Sequence, residues 1–104
     1  MISISGSKVP SMASKNNVRE AIVSYAIEKA LIEYGNSALE EVYYKLYQEY
    51  ALYFVDCYHN PEILRRALLE TFGDSYIKIV ELVKTHLGEY AMQEHIRKFL
   101  KTLE

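Results

Sequence analysis

The chain of 104 residues is poor in cysteine, glycine and proline, and it contains no tryptophan. Its single cysteine, Cys57, excludes an internal disulfide, and one thiol is typical of a protein from a reducing cytoplasm. The four glycines are isolated from one another, so the chain has no glycine-rich loop that binds phosphate groups. No apolar run has the length of a membrane-spanning helix, and the N-terminus lacks the features of a signal peptide. We therefore predict a cytoplasmic protein that is not inserted in a membrane.

Neither sign of charge is in large excess, since the chain has 12 lysines and arginines and 14 aspartates and glutamates. The formal net charge of −2 does not attract nucleic acid or an anionic membrane by bulk charge. What is abundant is tyrosine, with ten residues against three phenylalanines. A tyrosine buries a large ring while its hydroxyl needs water or a hydrogen-bond partner. We expect many of these rings at the edge of the core or on binding surfaces.

Hydrophobic periodicity predicts an all-α fold, a compact bundle of four to five helices with short connections. Residues 1–16 are rich in serine, lysine and asparagine and lack this periodicity, so they are predicted to be a disordered leader. A single helical domain would occupy residues 17–104. Its first helix, over residues 17–34 with Asn16 or Asn17 as N-cap, is apolar around much of its circumference, which is typical of a central helix. The apolar positions are Val18, Ala21, Ile22, Tyr25, Ala26 and Ile32, with a second stripe at Ile27, Ala30, Leu31 and Tyr34.

Helix ends are marked by capping residues. Gly35 is expected to end the first helix in a left-handed conformation. Ser37 and Glu40 have the spacing of a capping box for the second helix, which extends to residue 50. Glu41 and Lys45 have the spacing of an ion pair on its wet face. The inner face of this helix is predicted at Leu39, Val42, Tyr43, Leu46, Tyr47 and Tyr50.

The later helices follow the same logic. Asn60-Pro61 predicts the start of a third helix that Gly73 closes, and Asp74 or Ser75 would cap a fourth helix. Two points stay open. The aromatic segment 51–59 is either an irregular connector or a continuation of the second helix to Val55. Gly88 either kinks one helix or makes a turn before a last helix at residues 89–103.

Four successive segments resemble a known family. They are AIEKALIEYG, SALEEVYYKLYQEY, NPEILRRALLETFG and SYIKIVELV, which together cover about residues 18–87. Their order is similar to that of a small all-helical archaeal domain named as an output domain in Thaumarchaeota. The resemblance implies signal output or protein interaction, and it carries over no catalytic residue. The connector ALYFVDCYH and the helix after Gly88 depart from the family pattern.

The sequence contains no convincing group of residues for a metal site or a catalytic site. Asp56, Cys57 and His59 lie close together, but a zinc site needs about four ligands in paired spacings. Cys57 and His59 are two residues apart, a spacing that places a nucleophile and its base poorly. We therefore predict no catalytic residue, no metal site and no cofactor, and we expect a protein that is not an enzyme and has no small-molecule substrate.

Basic residues suggest one alternative function. Arg65 and Arg66 lie on the third helix, and Arg97, Lys98 and Lys101 lie on the last one. The connector before the third helix is longer than the three or four residues of a helix-turn-helix. Acidic residues also alternate with Arg65 and Arg66, which favours a solvated face over a DNA-reading face.

Surplus aromatic and apolar residues suggest the other function, a protein or self-association interface. The last helix has apolar residues at the spacing of a coiled-coil seam, and it either packs back on the bundle or meets a partner. The candidate interface residues are Tyr44, Tyr53, Tyr58, Tyr90, Met92, Ile96, Phe99 and Leu103. We accordingly predict a non-enzymatic interaction or signalling output module, with a small DNA-binding regulator as the alternative.

Overall fold

A computed structural model describes the backbone of residues 4–104 and the side chains of residues 17–104. In this range the chain forms five α-helices and no strand, and short connections join the helices. The predicted all-α bundle is confirmed. The helices are α1 (Ile4–Tyr34), α2 (Ala38–Tyr50), α3 (Pro61–Phe72), α4 (Tyr76–Leu87) and α5 (Glu94–Leu103). Three 3₁₀ segments lie between them, at Phe54–His59, Gly73–Ser75 and Gly88–Met92.

Helix α1 is the central element, and it packs against α4, α2 and the 3₁₀ segment Phe54–His59. It begins at Ile4, so Asn16 and Asn17 lie within the helix and neither is its N-cap, contrary to the prediction. The disordered leader predicted at residues 1–16 stays a prediction, because residues 1–3 and the side chains of residues 1–16 lie outside the described part of the chain. Among the described side chains of α1, the buried apolar residues are Val23, Ala26, Ile27, Ala30 and Leu31.

The first predicted apolar stripe of α1 is only partly buried. Val18, Tyr25 and Ile32 are 53%, 56% and 54% exposed. These three residues are spaced by seven, so they share one side of the helix. The neighbouring elements cover the side that carries Ala26 and Ala30, where small side chains permit close approach. Periodicity alone does not indicate which part of this wide apolar face meets the neighbouring elements.

The start of α2 differs from the predicted capping box. Ser37 precedes the helix, but its hydroxyl donates to the Glu41 carboxylate at 2.9 Å and not to a backbone amide. The expected Glu41–Lys45 pair is also wrong. Lys45 Nζ lies 3.2 Å from carboxylate oxygens of both Glu49 and Glu70, so it links α2 to α3. These hydrogen bonds, the one to Glu49 first, raise the pKa of Lys45.

The two open questions about helix ends are answered by backbone conformation. Ala51 adopts a left-handed conformation (φ 55°) that ends α2, so the second helix does not continue to Val55. Gly88 also has a positive φ of 56° and makes a turn, after which α5 begins at Glu94. The starts of α3 at Pro61 and of α4 after Ser75 are confirmed, as is Gly73 (φ 62°) at the end of α3. Gly35 follows α1 as predicted but is not among the positive-φ residues.

Helix α5 folds back on the bundle and packs mainly against α3 and the Gly88–Met92 turn. Its apolar stripe joins the single hydrophobic core that all five helices share. The buried residues of this helix are Ile96, Phe99, Leu100 and Leu103. In the described part of the chain, no helix is both long enough and apolar enough to cross a membrane.

Candidate protein-interaction site

A shallow groove lies where α1, α2 and the 3₁₀ segment Phe54–His59 meet. Its volume is about 770 Å³, and tyrosine is its most frequent lining residue. We call it the tyrosine groove. Its lining residues are Glu28, Leu39, Glu40, Tyr43, Tyr44, Tyr47, Gln48, Tyr53 and Phe54.

The four tyrosine rings form one continuous aromatic surface. The rings of Tyr43 and Tyr47 are parallel within 2°, with centroids 6.3 Å apart, as expected for side chains one helical turn apart on α2. Tyr44 meets Tyr43 edge-on at 6.2 Å, and Tyr53 lies 5.7 Å from Tyr47. All four remain exposed, from 42% for Tyr43 to 62% for Tyr44. The fold therefore presents these rings to solvent together.

The connector brings Tyr53 back over α2. The left-handed Ala51 reverses the chain after Tyr50, and Tyr53 then adopts an extended conformation. Asp56 holds this geometry, because its carboxylate accepts from the Tyr53 amide at 2.9 Å. The Asp56 amide donates to the Tyr53 carbonyl at 3.0 Å. Beneath the connector, Phe54 is buried 6.3 Å from the ring of Tyr43 and forms part of the floor.

The ionisable groups that line the groove, apart from the tyrosines, are carboxylates. Glu28 comes from α1 and Glu40 from α2. Neither forms an ion pair among the residues whose side chains are described. Lys45 is the one lysine of α2, and it is occupied by Glu49 and Glu70 on the side toward α3. The groove is thus aromatic with an acidic rim.

The eight predicted interface residues do not form one surface. Tyr44 and Tyr53 lie in the tyrosine groove. Tyr58 is half-buried and packs against His59 and Phe99, with ring centroids 4.9 and 6.1 Å away. Tyr90 and Met92 are exposed on the Gly88–Met92 turn, apart from the groove.

The other three predicted residues belong to the core. Ile96, Phe99 and Leu103 are between 0% and 3% exposed, because α5 packs its apolar stripe against its own chain. They are therefore not available as a free surface for a partner. Conversely, Tyr43 and Tyr47 were predicted on the inner face of α2 but line the groove. Their four-residue spacing was the available signal, and it indicated a shared face without indicating whether that face is buried.

Asp56, Cys57 and His59 each have a structural role. Asp56 holds the Tyr53 amide, and His59 Nε2 lies 2.6 Å from the Glu20 carboxylate on α1. Cys57 is fully buried, and its Sγ lies 3.7 Å from the Tyr53 carbonyl. Burial, together with the nearby Asp56 carboxylate, raises the pKa of the Cys57 thiol to about 12. Across the described residues, no three histidine, cysteine or acidic side chains are grouped to hold a metal ion.

Four of the five predicted basic residues lie in two further grooves. Arg65 and Arg66 lie beside Thr102 in one of them, which also contains Glu62. Arg97 and Lys101 line the other together with Lys84 and Glu104. Lys98 pairs with Glu94 at 3.7 Å, and the Arg65 guanidinium lies over the Tyr76 ring. Each groove therefore combines basic residues with a carboxylate, and the five predicted basic residues do not form one uninterrupted positive surface.

Comparison of the chain with protein-family models, with curated proteins and with solved structures found no match.

Proposed function

We propose that this protein is an interaction module that binds a segment of a partner polypeptide in the tyrosine groove. The observation that carries the proposal is the exposure of four adjacent tyrosine rings on one concave surface. Tyrosine is enriched in interfaces because its ring gives a large contact area for little loss of side-chain freedom. Hot spots also favour this residue. Covering an aromatic groove of this kind with a partner would lower the free energy of the system.

The chemistry of the groove supports binding over catalysis. Its polar groups are tyrosine hydroxyls, two carboxylates and the amide of Gln48. Glu28 and Glu40 lie on different helices, and no serine, cysteine, lysine or histidine lines the groove as a nucleophile or base. The groove is also open and shallow, whereas pockets for small substrates usually enclose most of the ligand.

The resemblance to the thaumarchaeal output domain agrees with this proposal. The segments that carry it include SALEEVYYKLYQEY, which contains three of the four groove tyrosines. We propose that partner binding in the groove is the output step of a signal. A cytoplasmic setting suits this role, because the single buried thiol is compatible with reducing conditions.

Selection from a displayed random-peptide library tests the proposal without assuming a partner. The bait is the full chain, and the comparison bait carries Tyr44→Ala and Tyr47→Ala. Both side chains are about half exposed or more, so the double variant should remain folded. The matched control is Tyr25→Ala, which removes a comparably exposed tyrosine that lies on α1 outside the tyrosine groove.

We expect peptides to be enriched on the wild-type and Tyr25→Ala baits and lost on the double variant. Enrichment that is equal on all three baits, or absent from all three, would overturn the proposal. Circular dichroism of each bait checks that loss of binding is not loss of fold.

DNA binding remains the alternative function, and its prediction is different. Duplex DNA would bind tightly at low salt, weaken steeply with added salt, and depend on Arg97 and Lys101 and not on the tyrosines. The acidic side chains beside both basic groups disfavour this alternative. A salt titration with a labelled duplex distinguishes the two functions.

A further inference from the structure

We infer that the tyrosine groove selects a cationic segment, and in particular one that contains arginine beside an apolar residue. This inference rests on the proposed function and names the chemistry of the partner. It combines the charge of the groove, the exposure of its tyrosine rings and the apolar part of its floor.

Charge complementarity is the first argument. The groove contains the carboxylates of Glu28 and Glu40, and no cationic side chain lines it. Within the described side chains neither carboxylate has an ion-pair partner. An acidic segment would meet like charge here, whereas a basic segment would supply the missing counter-charge.

The tyrosine faces are the second argument. A cation is attracted to the face of an aromatic ring when it lies within about 6 Å of the centroid. The fold itself already uses this contact twice. Lys29 Nζ lies 5.5 Å from the centroid of Tyr25, and Arg65 Cζ lies 5.7 Å from that of Tyr76. The exposed rings of the groove offer the same contact to a partner.

Arginine fits this combination better than lysine. Its guanidinium is planar, so it stacks on a tyrosine face while its N–H groups donate to a carboxylate in a forked geometry. Tyr43 and Tyr44 lie next to Glu40 along α2 and line the same groove, so one side chain can meet ring and carboxylate together. A lysine ammonium is a compact, strongly hydrated charge that gains less from a flat ring.

The apolar floor indicates a polypeptide segment and not a free cation. Leu39 and Phe54 line the groove beside the tyrosines. They suit an apolar side chain next to the arginine in the partner. A volume of about 770 Å³ spread over two helices and the connector also exceeds what one side chain fills.

The test measures the affinity of the full chain for four short synthetic peptides by calorimetry. The first alternates arginine and leucine, and the others replace arginine by lysine, by citrulline or by glutamate. Citrulline keeps the shape of arginine but has no charge. We expect the arginine peptide to bind best, the citrulline peptide about tenfold more weakly, and the glutamate peptide not at all.

Variants locate the site and isolate the charge effect. The double variant Glu28→Gln and Glu40→Gln should bind the arginine peptide about three- to tenfold more weakly, while its affinity for the citrulline peptide should be unchanged. Tyr47→Ala should lower the affinity for both peptides, while Tyr25→Ala should lower the affinity for neither. Equal binding of the arginine and citrulline peptides, or arginine binding that is indifferent to Tyr47→Ala, would overturn the inference.

Failure of the inference can be told apart from failure of the proposed function. If the displayed library yields peptides that need Tyr44 and Tyr47 but are neutral or acidic, the groove binds segments without selecting cations. The inference is then wrong and the proposed function stands. If no enrichment depends on these tyrosines, both are wrong.

Discussion

The backbone amide of Tyr53 donates to the carboxylate of Asp56 at 2.9 Å, while the Asp56 amide donates to the Tyr53 carbonyl at 3.0 Å. This reciprocal pair starts the 3₁₀ segment Phe54–His59 in the manner of a helix cap. It also sets the position at which the Tyr53 ring meets Tyr47. Asp56, which in the sequence looks like a candidate metal ligand, thus supports the structure of the tyrosine groove.

Asp56→Ala should therefore destabilise the fold by about 1 kcal/mol, the usual cost of losing a capping side chain. Asp56→Asn is the matched control, since its amide oxygen still accepts from the Tyr53 amide, and it should lose less. Urea unfolding followed by circular dichroism gives both values. Equal stability of the alanine variant and the wild type would mean that the carboxylate does not hold the connector.

Phe99 and Tyr44 are both predicted interface residues, but in the structure Phe99 is buried and Tyr44 is exposed. Phe99 is 3% exposed and packs near Tyr58, so Phe99→Ala should cost about 3–5 kcal/mol in unfolding free energy. Tyr44 is 62% exposed, and Tyr44→Ala should change stability by no more than about 0.5 kcal/mol. Thermal or urea unfolding of the two variants side by side measures this contrast. A small effect at Phe99 would place α5 on the surface instead of in the core.

Gly88 is expected to be costly to replace because of its backbone conformation. Its φ of 56° and ψ of −127° lie in a region that residues with a side chain rarely adopt, although a Cβ there would meet no atom within 4 Å. Gly88→Ala should therefore cost about 1–3 kcal/mol through backbone strain alone.

Gly35→Ala is the matched control for this prediction. A Cβ at Gly35 is equally free of contacts, and its φ is not positive. The alanine should leave stability unchanged or raise it by up to about 1 kcal/mol, because it restricts the unfolded chain. Unfolding curves that shift equally for both variants would contradict the assignment of strain to Gly88.

The Cys57 thiol should be unreactive in the folded protein. Burial raises its pKa to about 12 from a usual value of 9.0, so very little thiolate is present at pH 8. A thiol-specific reagent should label it slowly in buffer and rapidly in urea. Rapid labelling of the native chain would show that the connector opens easily.

The same shift has a consequence for stability at high pH. The unfolded chain ionises Cys57 near pH 9, while the folded chain keeps the thiol protonated until about pH 12. Above pH 9 the unfolded state therefore binds fewer protons, and the free energy of unfolding falls as pH rises. Cys57→Ser lacks this titration, so its stability should decline less over the same interval. A parallel decline of both proteins would assign the effect to other groups.

Several features followed from the sequence by itself because they depend on local chemistry. Pro61 has no backbone N–H to donate to a preceding turn, so a helix can begin at this residue but cannot run through it. Helix α3 therefore begins there whatever its surroundings. Gly73 ends α3 because glycine tolerates a positive φ. The four-residue spacing of Tyr43 and Tyr47 places both rings on one face of α2 in any helical fold.

Tertiary structure alone decided which faces are covered. The wide apolar face of α1 includes Val18 and Tyr25 as well as Ala26 and Ala30, and only the side that carries the two alanines is buried, where α1 packs against α4 and the connector. The stripe of α5 was compatible with a partner, and the fold buries it because α5 returns onto α3. Conversely, Tyr43 and Tyr47 are predicted on the inner face of α2 and line a groove instead. Periodicity records which residues share a side, whereas burial depends on contacts between segments distant along the chain.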